Sequence, residues 1–216
     1  MRLKAVVFDL DGTLLNTLED LADATNWALR KNGMPERALE EVRQYVGNGV
    51  RKLIERAVPD GEENPLFEQT FDDFKRYYVV HCQDKTCLYD GVAEMLQAFK
   101  ARCLLLAIVS NKLQAGVDEL YERYFKDTVA VAIGERPELQ RKPAPDMVEL
   151  ALRELGVTKD EAVYVGDSDV DLQTARNSGL PCISVLWGFR DRKFLEAHAA
   201  ETFAATPQDV VNLLTY

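Results

Sequence analysis

Ala5-Val6-Val7-Phe8-Asp9-Leu10-Asp11-Gly12-Thr13-Leu14 is the stretch whose reading decides the fold. A short run of strand-forming apolar residues stops at two aspartates one residue apart, followed at once by Gly-Thr. Such a run, closed by a turn signal, predicts a fully buried strand in the middle of a parallel sheet. A carboxylate at the carboxyl end of that strand lies where open α/β sheets hold their ligands. Asp9 and Asp11 then share one pocket, and two like charges that close are costly unless a cation or a proton sits between them. This points to a Mg²⁺-dependent carboxylate site in which one aspartate also attacks a substrate. Asp-Gly makes ordinary turns as well, so the pair alone leaves that simpler reading open.

Outward from this stretch the chain changes character twice. Residues 16–31 have helical periodicity, with Leu18, Leu21, Ala22, Ala28 and Leu29 on one face, Asn16 or Thr17 as N-cap and Gly33 as stop. Residues 36–59 predict two helices broken at Gly47-Asn48-Gly49. In the second, Val50, Leu53, Ile54 and Ala57 form the apolar stripe, and Arg51 and Lys52 point elsewhere. A polar connection over 60–65 leads to a long helix on which Phe67, Phe71, Phe74 and Tyr78 recur at threes and fours. Residues 16–85 are therefore expected to be helical, with no strand.

From Tyr89 strands alternate with helices. Strands are expected at 104–109, 129–133, 162–165 and 182–186, with a short edge strand near 202–203. Helices are expected over 113–124, after Pro145, up to Ser178 and in the tail from Asp191. That alternation specifies an α/β fold with a doubly wound, Rossmann-like parallel sheet. The helical stretch becomes an inserted α-helical cap. The expected division is a core of residues 1–15 and 89–216 and a cap of residues 16–88.

A chain of 216 residues can form one large core, or a core carrying an insert. Its net charge of -10 lacks the basic face of a nucleic-acid binder. An anionic substrate must be drawn in locally, by a metal ion or a few placed cations. Cys82, Cys87, Cys103 and Cys182 are scattered, with no CxxC and only His81 and His198 to join them, so buried free thiols are expected rather than zinc. Arg2 and Lys4 precede an apolar run too short for a signal peptide, and no segment has the apolar length of a membrane span. The expectation is a cytoplasmic protein with no membrane or nucleic-acid partner, monomeric or homodimeric.

Each polar cluster directly follows an apolar strand, so a parallel sheet brings all of them to one edge. Singly, Ser110-Asn111 reads also as a helix cap, Gly166-Asp167 as a turn and Lys142 as a solvated lysine. Together and in order, they point to chemistry. Mg²⁺ prefers hard oxygen ligands. Asp9 and Asp167 supply carboxylates, Asp11 its backbone carbonyl, and Asp171 holds metal-bound water. The hydroxyl of Ser110 and backbone N–H groups near Asn111 suit a phosphate oxygen, and Gly12 completes the expected phosphate-binding set. Lys142 can neutralise charge on an attacking carboxylate and on a transferring phosphoryl group. A carboxylate nucleophile gives an acyl phosphate. Asp11 can protonate the leaving oxygen and later activate water.

Asp9-Leu10-Asp11-Gly12-Thr13, Ser110-Asn111-Lys112, Lys142-Pro143 and Gly166-Asp167-Ser168-Asp169-Val170-Asp171 resemble, in order and spacing, the four motifs of the haloacid dehalogenase superfamily. The resemblance spans nearly the whole chain, including a helical cap after the first motif. It implies Asp9 as nucleophile, Asp11 as general acid/base, Ser110 and Asn111 on phosphate, Lys142 as charge stabiliser, and Asp9, Asp11 and Asp167 around Mg²⁺. Dehalogenases of the superfamily lack the second aspartate, and its sugar-phosphate mutases tend to have Gly-Val where this chain has Gly12-Thr13. Tyr45-Val46-Gly47-Asn48-Gly49, Tyr89-Asp90-Gly91-Val92, Lys142-Pro143-Ala144-Pro145 and Val185-Leu186-Trp187-Gly188 further resemble phosphoglycolate phosphatases and their relatives. Two departures stand out. Leu15-Asn16-Thr17 occupies a position where that group has an acidic residue before a serine, and Ser110 replaces a threonine. Asn16 falls at the expected cap hinge.

Gly47-Asn48-Gly49 before a helix exposes N–H groups that can hold an anion. Asn48, Arg51 or Lys52 is expected to contact the distal part of the substrate, such as the carboxylate of 2-phosphoglycolate; the plainer alternative is a solvated helix face. The expected function is hydrolysis of a small phosphorylated metabolite, a phosphate monoester, through an aspartyl-phosphate. Alternatives are a capped phosphatase for nucleotides, sugar phosphates or pyrophosphate, and a phosphomutase. Outside enzymes, a phospho-accepting receiver domain is shorter and has no helical insert, and an inactive binding module would not keep every expected catalytic residue.

Overall fold

The computed structural model describes residues 3–215; Arg2, used in the targeting argument, lies outside them. Chain order runs β1 (Ala5–Phe8), β2 (Leu15–Asn16), α1 (Leu18–Lys31), α2 (Leu39–Tyr45), α3 (Val50–Ala57), α4 (Phe67–His81) and β3 (Cys87–Leu88). It continues with α5 (Val92–Ala101), β4 (Leu105–Leu113), α6 (Gln114–Leu120), β5 (Val131–Glu135), α7 (Asp146–Leu155) and β6 (Ala162–Gly166). The last elements are α8 (Asp169–Ser178), β7 (Cys182–Val185), α9 (Arg192–Ala197), β8 (Phe203–Ala204) and α10 (Pro207–Leu213). Two compact units result, Met1–Leu14 with Leu88–Tyr216, and Leu15–Cys87.

The first unit is built on a six-stranded sheet in the order β5-β4-β1-β6-β7-β8. Every adjacent pair is parallel, so this is the doubly wound α/β fold expected. All four residues of β1 are buried, as a central strand covered on both faces requires. Alternation divides them: Ala5 and Val7 pack with Met147, Val148 and Ala151 of α7, while Phe8 meets Phe99 of α5, ring centroids 6.3 Å apart. The strand order reverses at β1, between β4 and β6, and its pairing register sets Phe8 beside Ile108 and Val165. The polar residues that follow these three strands therefore emerge together at the carboxyl edge, at the topological switch point.

In the second unit, α1 and α4 pack together. Buried Asp73 of α4 takes Lys31 Nζ at 2.7 Å and Asn32 Nδ2 at 3.1 Å, at the end of α1. At the other end of α1, buried Asp20 accepts from the backbone N–H of Lys85 (3.0 Å) and from the N–H (2.8 Å) and hydroxyl (2.7 Å) of Thr86. The strip Leu53, Ile54 and Ala57 of α3 is buried as its periodicity requires.

The structure departs from the sequence reading in a few places. Residues 16–85 are not wholly helical, because Leu15–Asn16 pairs as a two-residue strand with Cys87–Leu88; two residues are too few to show alternation. The helix α5 falls in a stretch to which the sequence reading assigned none. β4 runs on through Ser110-Asn111-Lys112, with a register shift between Val109 and Leu113, and β5 starts two residues later than expected. The cysteines form no disulfides, but only Cys82 is buried; Cys182 is half-buried, and Cys87 and Cys103 are exposed. Cys87 lies in the short strand β3, and Cys103 in the turn after α5, at a φ of 58°. Among the described residues no helix is long and apolar enough to cross a membrane.

Replacing Asp20 by Ala strands the N–H groups of Lys85 and Thr86 inside the helical unit. A loss of about 2–4 kcal/mol is expected, read as a lower urea midpoint. A loss below about 0.5 kcal/mol, the size of an ordinary surface substitution, would show that these bonds do not close the unit.

Candidate active site

The centre of the carboxyl edge is the ammonium of Lys142. It is buried, and it donates to Asp9 Oδ1 at 2.7 Å, Asp171 Oδ1 at 2.9 Å and the Tyr164 hydroxyl at 3.1 Å. Three acceptors match the three N–H groups of a lysine. The Tyr164 hydroxyl in turn donates to Asp171 Oδ1 at 2.9 Å. The other oxygen of Asp171 accepts from the N–H of Ser168 at 3.1 Å and its hydroxyl at 2.6 Å. Ser168 caps α8, and its oxygen takes the N–H of Asp171, so the capping box that starts the helix also orients this carboxylate.

Asp9, Asp167 and Asp171 are all buried, and each offers an oxygen within 4.8 Å of the others. Among the described residues, Lys142 is the cation that forms an ion pair with this trio. The imbalance shows in the ionisation of Asp9, Asp167 and Lys142. Burial, then Asp171, push Asp9 well above the ordinary carboxylate range despite Lys142. Burial and Asp171 raise Asp167 to about 7. Burial alone would favour a neutral Lys142, but Asp171 and Asp9 outweigh it and hold the amine charged beyond the ordinary lysine range. A site short of positive charge and lined with hard oxygens fits a divalent cation. Asp171 accepts two protein donors on each oxygen, whereas Asp167 accepts one on each and Asp9 takes Lys142 on Oδ1, which leaves Asp9 and Asp167 as the carboxylates best placed to hold one.

Asp167 is fastened from two sides. Its Oδ1 accepts from the Thr13 hydroxyl at 3.2 Å and its Oδ2 from the Phe189 N–H at 2.7 Å. Gly12 has a φ of +91°, and a Cβ there would lie 2.5 Å from Asp167 Oδ2. A Cβ on Gly188 would collide with Asp167 and with the carbonyl of Gly12. Trp187 Nε1 donates to the Thr13 carbonyl at 3.0 Å, so the loop after β7 closes over the turn after β1.

Residues 6–185 match the haloacid dehalogenase-like hydrolase family. The chain belongs to that family. A phosphoglycolate phosphatase of Thiobacillus denitrificans is 38% identical over 87% of this chain and 85% of its own. An N-acetylmuramic acid 6-phosphate phosphatase of Pseudomonas aeruginosa is 28% identical over 99% of this chain and 96% of its own. A crystal structure from Lactobacillus delbrueckii subsp. bulgaricus, of a protein provisionally described as a phosphoglycolate phosphatase, superposes with a TM-score of 0.94 at 33% identity, covering 99% of both chains.

Within this haloacid dehalogenase-like hydrolase, the residues singled out from sequence separate into three places. Asp9, Lys142, Asp167 and Asp171 form the buried cluster. Ser110 is buried two residues past Ile108, the partner of Phe8 in the sheet, and its oxygen accepts from the Lys112 N–H at 3.1 Å. Asn111 spends its amide N–H on the Lys142 carbonyl at 3.0 Å, and its Oδ1 has no partner. Its side chain thus ties the second motif to the third. The side chain of Asp11 stands apart from the carboxylate trio and meets Lys112 Nζ at 3.2 Å. In the helical unit, Asn48 accepts from Arg56 at 2.8 Å, Lys52 pairs with Glu55, and Arg51 pairs with Glu62 and Glu68 while lying over the rings of Phe67 and Phe71.

Sequence reasoning missed Tyr164, Phe189 and the close packing of Gly188. Tyr164 is hidden inside an apolar strand, where only its hydroxyl hints at a polar task. Phe189 acts through its backbone, which leaves no trace in residue type.

The sign of the pH response follows from Asp167. Held at about 7 against an ordinary 3.8, it keeps a proton in the folded state that the unfolded chain has already lost. The cation-free protein is therefore stabilised by that proton at low pH and loses the benefit as pH rises through 7. A divalent cation takes the proton's place. Saturating Mg²⁺ is expected to raise Tm by about 4–10 °C at pH 8 and by much less at pH 5. Equal shifts at both pH values in a calorimetric scan would refute the assignment.

Proposed function

We propose that this chain hydrolyses a small phosphate monoester, phosphoglycolate-like, with Mg²⁺ as cofactor and through an aspartyl-phosphate on Asp9. The observation that carries the reading is the buried Lys142 ammonium bonded to a carboxylate at the end of the central strand, with Asp167 beside it and Ser110 facing the same edge. In a binding module such a charged cluster would be a burial penalty without a return.

Asp9 and Asp167, with the backbone carbonyl of Asp11, would hold Mg²⁺, which supplies charge neutralisation for the phosphoryl oxygens when bound. Lys142 aims Asp9 and offsets part of the cost of ionising it. The Ser110 hydroxyl and the N–H groups of Gly12 and Asn111 would bind the non-bridging oxygens. A carboxylate oxygen of Asp9 attacks phosphorus, and the bond to the ester oxygen breaks with its electron pair on the leaving group. Asp11 gives that oxygen a proton. In the second half, water attacks the same phosphorus and gives a proton back to Asp11. The bond to Asp9 breaks, releasing inorganic phosphate and restoring the carboxylate.

Support for phosphoglycolate comes from the relative of that name at 38% identity. The N-acetylmuramic acid 6-phosphate phosphatase, matching nearly end to end, supports a second reading, a sugar phosphate. Asn48, Arg51 and Lys52 remain the residues we propose for the distal end of the substrate, and an arriving carboxylate would have to draw Arg51 away from Glu62 and Glu68.

The test is a panel of 2-phosphoglycolate, sugar phosphates, nucleotides, pyrophosphate and p-nitrophenyl phosphate, assayed for phosphate release with Mg²⁺ and with EDTA. Turnover is expected with Mg²⁺ only, and Asp9→Asn is expected to lower kcat by at least about 10⁴-fold. An Asp9→Asn protein with full Mg²⁺-dependent turnover would overturn the mechanism. On the same panel, Arg51→Ala should raise KM for 2-phosphoglycolate more than for p-nitrophenyl phosphate; equal changes would remove Arg51 from substrate binding.

A further inference from the structure

We propose that Lys112 is a positioning residue for Asp11, its ammonium fixing the direction in which the proton-transferring carboxylate points. The inference rests on the role given to Asp11 above. Asp11 follows the buried strand by three residues and precedes Gly12, whose φ of +91° turns the chain away. Its carboxylate consequently leaves the cluster of Asp9, Asp167 and Asp171 and has none of that cluster's hydrogen bonds to aim it. A carboxylate on a single-methylene stem has several staggered rotamers open to it, and proton transfer demands one of them. Lys112 Nζ, 3.2 Å from Asp11 Oδ1, selects it. The two side chains are 8% and 19% exposed, lysine and aspartate respectively, so this is not a solvent-screened surface pair.

Lys112 can serve as an anchor because it is itself held. Its N–H is spent on Ser110 Oγ. A Cβ on Gly116, in the first turns of α6, would touch its methylenes at 3.5 Å, so the stem lies along that helix rather than in solvent. The backbone just after it is clamped by Gln114, whose Oε1 takes the Gly134 N–H at 2.6 Å and Arg136 Nε at 2.9 Å. Lys112 lies in the part of β4 where the register against β5 shifts, between Val109 and Leu113, and from there its Nζ reaches Asp11, which follows β1. One irregular strand end thus presents the Ser110 hydroxyl and an anchor for Asp11 together.

The consequence is a dependence on the leaving group. When the phosphorus–oxygen bond breaks, an alkoxide needs the proton of Asp11, whereas p-nitrophenolate departs without it. Lys112→Met should lower kcat/KM for the best alkyl phosphate of the panel by about 10- to 100-fold, within the range of general acid catalysis. For p-nitrophenyl phosphate the loss should stay below about threefold, well short of a general-acid effect. Lys112→Arg, which keeps a cation near the same place, should recover most of the alkyl activity. Equal losses on the two substrates, or a rise in KM confined to carboxylated substrates, would overturn the proposal; the latter would make Lys112 a substrate contact. A circular-dichroism melt of each variant separates either result from misfolding, and a misfolded Lys112→Met leaves Lys112→Gln to be read by the same ratio. If the unaltered protein cleaves no monoester, the functional reading fails; if it does and the ratio is unmoved, only the role of Lys112 fails.

Discussion

The ammonium of Lys142 is the interaction on which the site depends. Without a cation at that point, Asp9 and Asp171 would be two buried carboxylates with oxygens within 4.8 Å of each other, a state that proteins avoid by protonation or by rearrangement. With it, the charge of Asp9 is partly compensated at the end of a strand that has no freedom of its own, and Tyr164 and Ser168 take up the remaining lone pairs of Asp171. Every bond in this group is short and internal. Its geometry is therefore fixed before any ligand arrives, as a site acting by electrostatic preorganisation requires.

The sheet supplies the rest. Reversal of strand order at β1 opens a crevice between the ends of β4 and β6, and the shared register of Phe8, Ile108 and Val165 brings their successors to one level. Asp9, Ser110 and Asp167 are far apart in sequence and near in space because of this alone. The helices contribute in a more local way: the cap of α8 orients Asp171, and the loop after β7 grips Asp167 through Phe189 and Gly188.

Much of this was legible in the sequence. Strands such as β1 and β6 announce themselves because burial on both faces makes them uniformly apolar, and the polar residue at each end then marks the functional edge. What escaped was of two kinds. β2 and β3 are too short to carry a period, and the extension of β4 through Lys112 is a polar strand with no alternation to betray it. Tyr164 and Phe189 escaped for another reason: one is an aromatic in an apolar run, and the other contributes only its N–H. Asn111 was expected at the phosphate through nearby backbone N–H groups and from the family resemblance, and nothing in the sequence showed that its side chain donates to the Lys142 carbonyl, a partner that only tertiary structure reveals. The pairings of Arg51 with Glu62 and Glu68 are likewise set by how three helical segments meet.

Asp20 has a meaning for the core as well as for the helical unit that contains it. By binding Lys85 and Thr86, next to β2 and β3, it brings the entrance and the exit of the insert together. Loop-closure entropy depends on how far apart along the flexible chain the joined points lie. Once the helices have folded and their ends are pinned, the connection from β1 to β4 is entropically that of a short loop. The pairing of the two central strands then becomes, for the folding chain, almost a local event.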